Sequence, residues 1–534
     1  MKLNRTNKTI DELVRMFADK EIAIPEIQRD FVWRSDKIKK LLDSIQRDYP
    51  SGAIVLWDTI GMKKSIRELY IRPERLHLYQ KTPPRYLLID GQQRLTSLLS
   101  VILPSDVVNN KLGEEIKLPT IIINKKTLLV EARKDLKNLS HNEILINEIL
   151  NDDTQIKIST QLNKYKRNIL NYSYPVQIIE TDNYTDVANV FKRINKQGKT
   201  LITAEIELAN IIPYWNGISE EFRNFIRRMR KEGFIIDLPL IMRCLASVAN
   251  NSAKIDDFTK RVMNNAFLKN QLITFWKKTK TSFISLNGIF EKYLIDRTEL
   301  ITTRNALVPI IYTLSKIKKN QLDEFIFVKY LLFSMISGHY SEQSETVLRK
   351  DFYSLTNERL TINKRFIKLF NNIKNNEFKR SFITEKDLEG VYSKNPYLLL
   401  MYLAFRLKGA SDFDVFNTEL SKVGKIHLHH IFPYDFLIKD KEYQKNAKKR
   451  RLNESEIRME INDIANITFV SIESNERIKS NSPKNYLTTE SKNNLIAHCI
   501  PQNTKLWDSE NYRKFLKERK KLIIKSVNKY LNNF

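Results

Sequence analysis

Apolar residues recur at helical spacing near the start of the chain, at Ile10, Leu13, Val14 and Phe17, behind Thr9 as a candidate N-cap. The segment from Ile22 to Trp33 is extended and broken by Pro25. A second stripe at Ile38, Leu41, Leu42 and Ile45, capped by Ser35, predicts another helix that ends at Tyr49-Pro50-Ser51-Gly52. Strands are expected over 53–57 and 85–90, the latter running through Asp90-Gly91 straight into an apolar-periodic helix. Tyr174 to Glu180 repeats the strand, and a helix through Val187, Val190, Phe191 and Ile194 follows, with Gly198 placed to cap it. From 213 to 385 the pattern turns helical, over Leu238 to Val248, Phe267 to Trp276, Leu307 to Leu314 and Phe325 to Ile336. Pro239 and Gly338 read as helix ends there. Past 386, a helix over Leu398 to Phe405 leads to K-I-H-L-H-H-I-F-P at Lys425 to Pro433, a short strand entering a loop that the proline stiffens. Asn466 opens a second strand that ends at Ser471. The expectation is a multidomain α+β chain divided at 1–212, 213–385 and 386–534, with no repeat of fixed period.

Composition narrows the function classes. A chain of 534 residues is too long for one core. With 42% hydrophobic and 28% charged residues it reads as soluble and globular. Lys and Arg number 90 against 62 Asp and Glu, a formal charge of +28 and a pI near 9.7. Such a balance fits either a solvated lysine surface or a protein that tracks a polyphosphate backbone in a salt-sensitive way. Five of the seven residues from Lys445 to Arg451 are basic, and Lys448, Lys449, Arg450 and Arg451 are the candidate DNA-phosphate contacts. Arg227, Arg228, Arg230 and Lys231 form a further cluster that suits DNA or a solvated helix face equally. The tail carries Arg513, Lys514, Lys517, Arg519, Lys520 and Lys521 among apolar residues, so the last helix is expected to pack one face and show the other to DNA. The two cysteines, Cys244 and Cys499, imply no disulfide framework and suit a reducing compartment. The first residues lack an apolar leader core and no run of 18 apolar residues occurs, so a cytoplasmic protein with no membrane partner is expected.

Three of the seven histidines, His427, His429 and His430, fall within four positions. On a strand the last two face opposite ways and can have different jobs. A neutral imidazole can ligate a metal or take a proton from water near neutral pH. The His-His-x-x-Pro step, the strand that opens at Asn466 and the later Asn475 together resemble the ββα-metal (His-Me finger, or HNH) nucleases. By position, that resemblance implies His430 as general base, His429 and Asn475 as metal ligands, and Asn466 as the brace of the hairpin. Many relatives carry Asp or Glu where this chain has His429, and a nitrogen ligand would favour Mn²⁺ or Ni²⁺ over Mg²⁺. No C-x-x-C pair lies nearby to form a zinc knuckle.

At Asp90-Gly91-Gln92-Gln93-Arg94 a strand, tight turn and helix leave free backbone amides where a phosphate can sit. Arg94 could clamp that phosphate or pair structurally with Asp90. No G-x-x-x-x-G-K-[S/T] loop exists to serve instead. Together, I-Q-R-D-F-V-W, I-D-G-Q-Q-R and F-K-R-I-N-K-Q-G resemble in order the signatures of the GmrSD-type (Type IV) restriction endonucleases and related phage-defence proteins. Those join a ParB/sulfiredoxin-like α/β domain to an HNH domain. The resemblance covers about 1–212 and 390–534 and implies a mostly helical C-terminal domain with an embedded ββα-metal finger, while the helical pattern over 213–385 reads as a linker domain. It also implies a nucleoside triphosphate, of unspecified base, at Asp90, Gly91, Gln92, Gln93 and Arg94. Gln28, Arg29, Arg193 and Asn195 contribute from their own motifs. The expectation is an NTP-regulated, Mg²⁺- or Mn²⁺-dependent endonuclease for modified phage DNA, with room for a homo-oligomer. The rivals are a nucleotide-dependent DNA regulator or clamp with a decayed nuclease, and a metal-dependent RNase or toxin.

Overall fold

Helix α1 (Ile10–Ala18) begins where the stripe predicts. The Thr9 hydroxyl accepts from the Glu12 amide, and the Glu12 carboxylate accepts from the Thr9 amide, a capping box that leads directly out of strand β1 (Lys2–Thr9). Ser35 does not cap. It is the first residue of α2 (Ser35–Gln46), and the cap position is held by Arg34, whose side chain makes no cap bond. The computed structural model describes residues 1–534 except 26–30, 32, 61–83, 104–119, 134–138, 152–158, 183–185, 188–189, 191–192, 195–202, 216, 318–322, 357–358, 379–381, 391–394 and 534. The expected Gly198 cap, Gln28, Arg29 and Asn195 lie outside the described residues.

The chain is mixed α+β and divides into two compact units, Met1–Asn224 with Ile255–Lys269, and Phe225–Lys254 with Asn270–Phe534. In the first unit a five-stranded sheet has the order β1-β8-β3-β4-β2, where β2 is Ile22–Ala23, β3 Ile54–Asp58, β4 Tyr86–Asp90 and β8 Ser173–Glu180. Strand β3 runs parallel to β8 and antiparallel to β4, and all five of its residues are buried. That explains why β3 and β4 read as continuous apolar runs rather than alternating ones. Helices α1, α2, α3 (Gln92–Ile102) and α4 (Thr160–Leu170) contribute Leu13, Phe17, Leu41, Leu98 and Ile169 to the core with Leu56 and Leu88 of the sheet. A smaller antiparallel sheet joins β5 (Thr120–Asn124) to β6 (Val130–Arg133) and β7 (Glu143–Leu145).

The second unit is mainly helical. Helices α5 (Leu238–Asn250) and α6 (Phe325–Ile336) are largely buried, and in α7 (Tyr397–Leu407) every residue from Leu398 to Phe405 is buried. A helix apolar all round belongs at the centre of a core. Tyr402 and Phe405 of α7 pack edge-on against Phe469, in the one hairpin of this unit among the described residues. That hairpin pairs β9 (Ile426–His430) antiparallel with β10 (Ile467–Ser471). Helices α8 (Lys441–Lys449) and α9 (Glu454–Ile461) lie between its strands in sequence. The chain then continues through α10 (Ile472–Ile478), α11 (Pro483–Leu487) and α12 (Tyr512–Asn533). Among the described residues no helix is long and apolar enough to cross a membrane.

His498 is fully buried behind the hairpin. Its Nε2–H donates to the Ser411 carbonyl at 2.7 Å, and its Nδ1 accepts from the Thr468 hydroxyl at 2.6 Å. Burial lowers its pKa from 6.5 to about 3. Unfolding exposes an imidazole that takes a proton near 6.5, so below that pH the unfolded state binds the extra proton. Stability therefore falls by up to about 1.4 kcal/mol per pH unit until the folded imidazole itself protonates. His498→Gln is expected to flatten the pH dependence of urea unfolding of this unit between about pH 6 and pH 4. Equal slopes in the two proteins would remove His498 as the cause.

Candidate active site

Register in the hairpin places His430 opposite Ile467 and His429 opposite Thr468. His429 points inward and is 2% exposed, His430 is half-buried and His427 is exposed. The neighbouring histidines thus occupy different environments, as strand alternation requires. Helix α10 follows β10 without a loop and carries Asn475 back to the hairpin, where its Oδ1 lies 2.9 Å from His429 Nδ1. The start of α10 is fixed by buried Asp412, whose two carboxylate oxygens accept from the Ser471 amide and the Ser474 hydroxyl, each at 2.8 Å.

The donor pattern decides which His429 nitrogen is bare. The Tyr486 hydroxyl on α11 gives its hydrogen to the Ile431 carbonyl at 2.7 Å, so its oxygen accepts from His429 Nε2–H at 3.2 Å. His429 Nδ1 is then a lone pair facing the amide oxygen of Asn475. Two acceptors 2.9 Å apart match the separation of adjacent ligands on an octahedral ion with bonds of about 2.1 Å. Burial lowers the His429 pKa to about 4 and also lowers that of His430, so both imidazoles are neutral at neutral pH. These residues fit a divalent cation that keeps most of its water. Among the described residues no group of three or more His, Cys, Asp or Glu side chains could hold a metal.

Asn466 is completely buried and satisfies three backbone groups, two in the turn after β9 and one at the end of α9. Its Oδ1 accepts from the Phe432 amide at 2.8 Å, and its Nδ2 donates to the carbonyls of Phe432 and Ile461 at 3.0 and 2.9 Å. Asn466→Ala would leave all three unpaired in the core. It is expected to destabilise this unit by roughly 3–5 kcal/mol in a denaturant titration, and a loss of about 1 kcal/mol or less would mean that water replaces the amide. Arg519, counted by sequence among the DNA-facing basics of the tail, turns inward instead. It is fully buried and donates to the carbonyls of Ala465 and Ile467, each at 2.7 Å, and of His498 at 3.0 Å. Nearby Cys499, Tyr486 and Asp463 do not offset its burial, which lowers the guanidinium to about 10. Arg297, also buried, donates in the same way to the carbonyls of Leu420, Val423 and Gly424 just before β9. Sequence reasoning assigns no role to Asp412, Asn462, Arg297 or Tyr486, and places Arg519 outside. An asparagine four positions before Asn466, in N-D-I-A-N, was the one local signal for Asn462.

Of the candidate DNA contacts, Lys448, Lys449 and Arg451 are exposed, while Arg450 is half-buried and bonded to Glu460 at 2.7 Å. In the first unit, Gly91 has φ +99° at the N-terminus of α3, and a Cβ there would fall 2.4 Å from Ile54 Cδ1, so only glycine fits the turn. Arg94 reaches back from the first turn to Asp90 at 3.0 Å and to the Ala53 carbonyl at 2.6 Å, and its guanidinium lies against Gly52. Gln92 and Gln93 are buried, and two buried atoms at this step, Gln92 Oε1 and Arg94 Nε, have no hydrogen-bond partner among the described residues. Arg193 is exposed.

Residues 10–212 match the family model of the GmrSD restriction endonuclease N-terminal domain. The match runs from the first residue of α1 through the Asp-Gly-Gln-Gln-Arg turn, and is a likeness of this N-terminal region to GmrSD restriction endonucleases. It ends well before the histidine hairpin, which therefore rests on its own geometry. An uncharacterized protein of Methanocaldococcus jannaschii is 25% identical over 537 residues, spanning 91% of this chain and 87% of its own length. Likeness to that protein thus extends far beyond the GmrSD region.

Proposed function

We propose that this chain is an NTP-regulated, divalent-metal-dependent DNA endonuclease of phage defence that cleaves modified foreign DNA. The observation that carries the reading is the convergence of His429 and Asn475 beside His430 on a hairpin braced by Asn466. Phosphodiester hydrolysis requires a base that makes hydroxide where charge on the scissile phosphate is neutralised. His430, neutral and half-buried, takes the proton from water. His429 and Asn475 would hold the cation, which supplies the charge neutralisation, and an imidazole ligand leans toward Mn²⁺. Exposed Lys448, Lys449 and Arg451 follow the backbone and make binding salt-dependent.

At the other unit, the amide end of α3, the Arg94 guanidinium and the unpaired Gln92 oxygen support a triphosphate site at the Asp-Gly turn. The testing experiment compares modified and unmodified phage DNA, and RNA of matched length, with and without each triphosphate, in Mg²⁺ and Mn²⁺. Cleavage of the modified DNA, changed by one triphosphate, is expected. Preference for RNA, or no cleavage of any DNA, would sink the reading.

A further inference from the structure

We infer that Asn462 is a positioning residue that locks His430 with its hydrogen on Nε2, leaving Nδ1 as the nitrogen that meets water. The inference rests on the nuclease reading for its consequence but on hydrogen-bond logic for its substance. Asn462 closes the C-terminal end of α9. Its Nδ2 donates at 2.8 Å to the carbonyl of Arg458, one turn back, and its Oδ1 lies 2.9 Å from His430 Nε2. A backbone carbonyl only accepts, so this amide cannot turn over without setting oxygen against oxygen at Arg458. With Oδ1 held toward the ring, Nε2 must carry the hydrogen. His430 Nδ1 has no hydrogen-bond partner among the described residues.

The neighbouring ring obeys the same logic through another residue, since the committed hydroxyl of Tyr486 leaves His429 protonated on Nε2 as well. Two adjacent imidazoles are therefore set in one tautomer by separate carbonyls, at Arg458 and Ile431. Each presents Nδ1 to its task, one to Asn475 and one to water. A ring free to interconvert would spend part of its time with a hydrogen where the water's proton must go. Support of this second kind commonly contributes 10- to 100-fold to a site's activity or affinity, about what loss of Asn462 is expected to cost here.

The test is ¹⁵N NMR on full-length protein labelled at histidine, near neutral pH, with long-range correlations that tell a protonated ring nitrogen from a bare one. His429→Gln and His430→Ala provide the assignments. Wild type is expected to show Nε2–H for both rings. Asn462→Ala should give a mixed pattern for His430 alone, with His429 and Mn²⁺-induced broadening unchanged, and kcat lowered about 10- to 100-fold at constant KM. An Nδ1–H pattern for His430 in wild type overturns the inference, as does an unaltered pattern in Asn462→Ala. Should Asn462→Ala not fold, the wild-type spectrum decides alone. If the tautomers appear as stated and no nucleic acid is cut in any metal, the nuclease reading falls and the role of Asn462 in fixing the ring stands.

Discussion

His430→Ala is expected to lower DNA cleavage by about 10²- to 10⁴-fold, the usual contribution of a positioned general base, while leaving the fold and cation binding in place. The separation of effects follows from the hairpin. His430 is half-buried and, among the described residues, its side chain hydrogen-bonds only to Asn462, so removing the ring takes no support from Phe432, Ile461 or the β9–β10 ladder. His429 and Asn475 are fixed by Tyr486 and by the Asp412-anchored start of α10, neither of which touches the His430 ring through a hydrogen bond. Plasmid nicking in Mn²⁺ by wild type and variant, with thermal melts of both, is the measurement. Equal cutting would take His430 out of the chemistry.

The second large effect is at the other unit. Arg94→Ala is expected to reduce triphosphate hydrolysis to background, read as phosphate release, with the unit still folded. A guanidinium at a helix N-terminus offers a planar fork for a phosphoryl group, so Arg94→Lys should recover little. In the resting chain that fork is held between Asp90 and the Ala53 carbonyl, against a Gly52 whose added Cβ would come within 2.8 Å of Nη1. Unchanged turnover in Arg94→Ala would mean that the ion pair with Asp90 is structural and that nucleotide, if bound, binds elsewhere.

Periodicity made most of the elements legible. The stripe at Ile10, Leu13, Val14 and Phe17 is the buried face of α1, and the runs at β3 and β4 are buried strands. The capping box at Thr9 was readable because its partners are three residues apart, whereas Ser35 misled because a serine inside the first turn reads the same as one before it. The histidine pair and Asn475 were visible because the hairpin and the next helix are short and local. What stayed hidden depends on contacts between residues far apart in sequence. Arg519 carries the signature of an exposed tail arginine, and only the docking of its helix against Ala465 and Ile467 reveals it as buried. Tyr486 is a core residue, yet its one hydroxyl hydrogen sets the tautomer of His429.

Arg519 also imposes an order on biosynthesis. Both strands and both ligand-bearing segments emerge from the ribosome before the helix that supplies the cation gripping the carbonyls on either side of Asn466. A nascent or prematurely terminated polypeptide ending short of that helix would lack the guanidinium that those buried carbonyls accept from, and the hairpin would lose that support. On the proposed nuclease reading, a cell would thereby be spared active fragments, because the hairpin site would be complete only in chains translated through that helix.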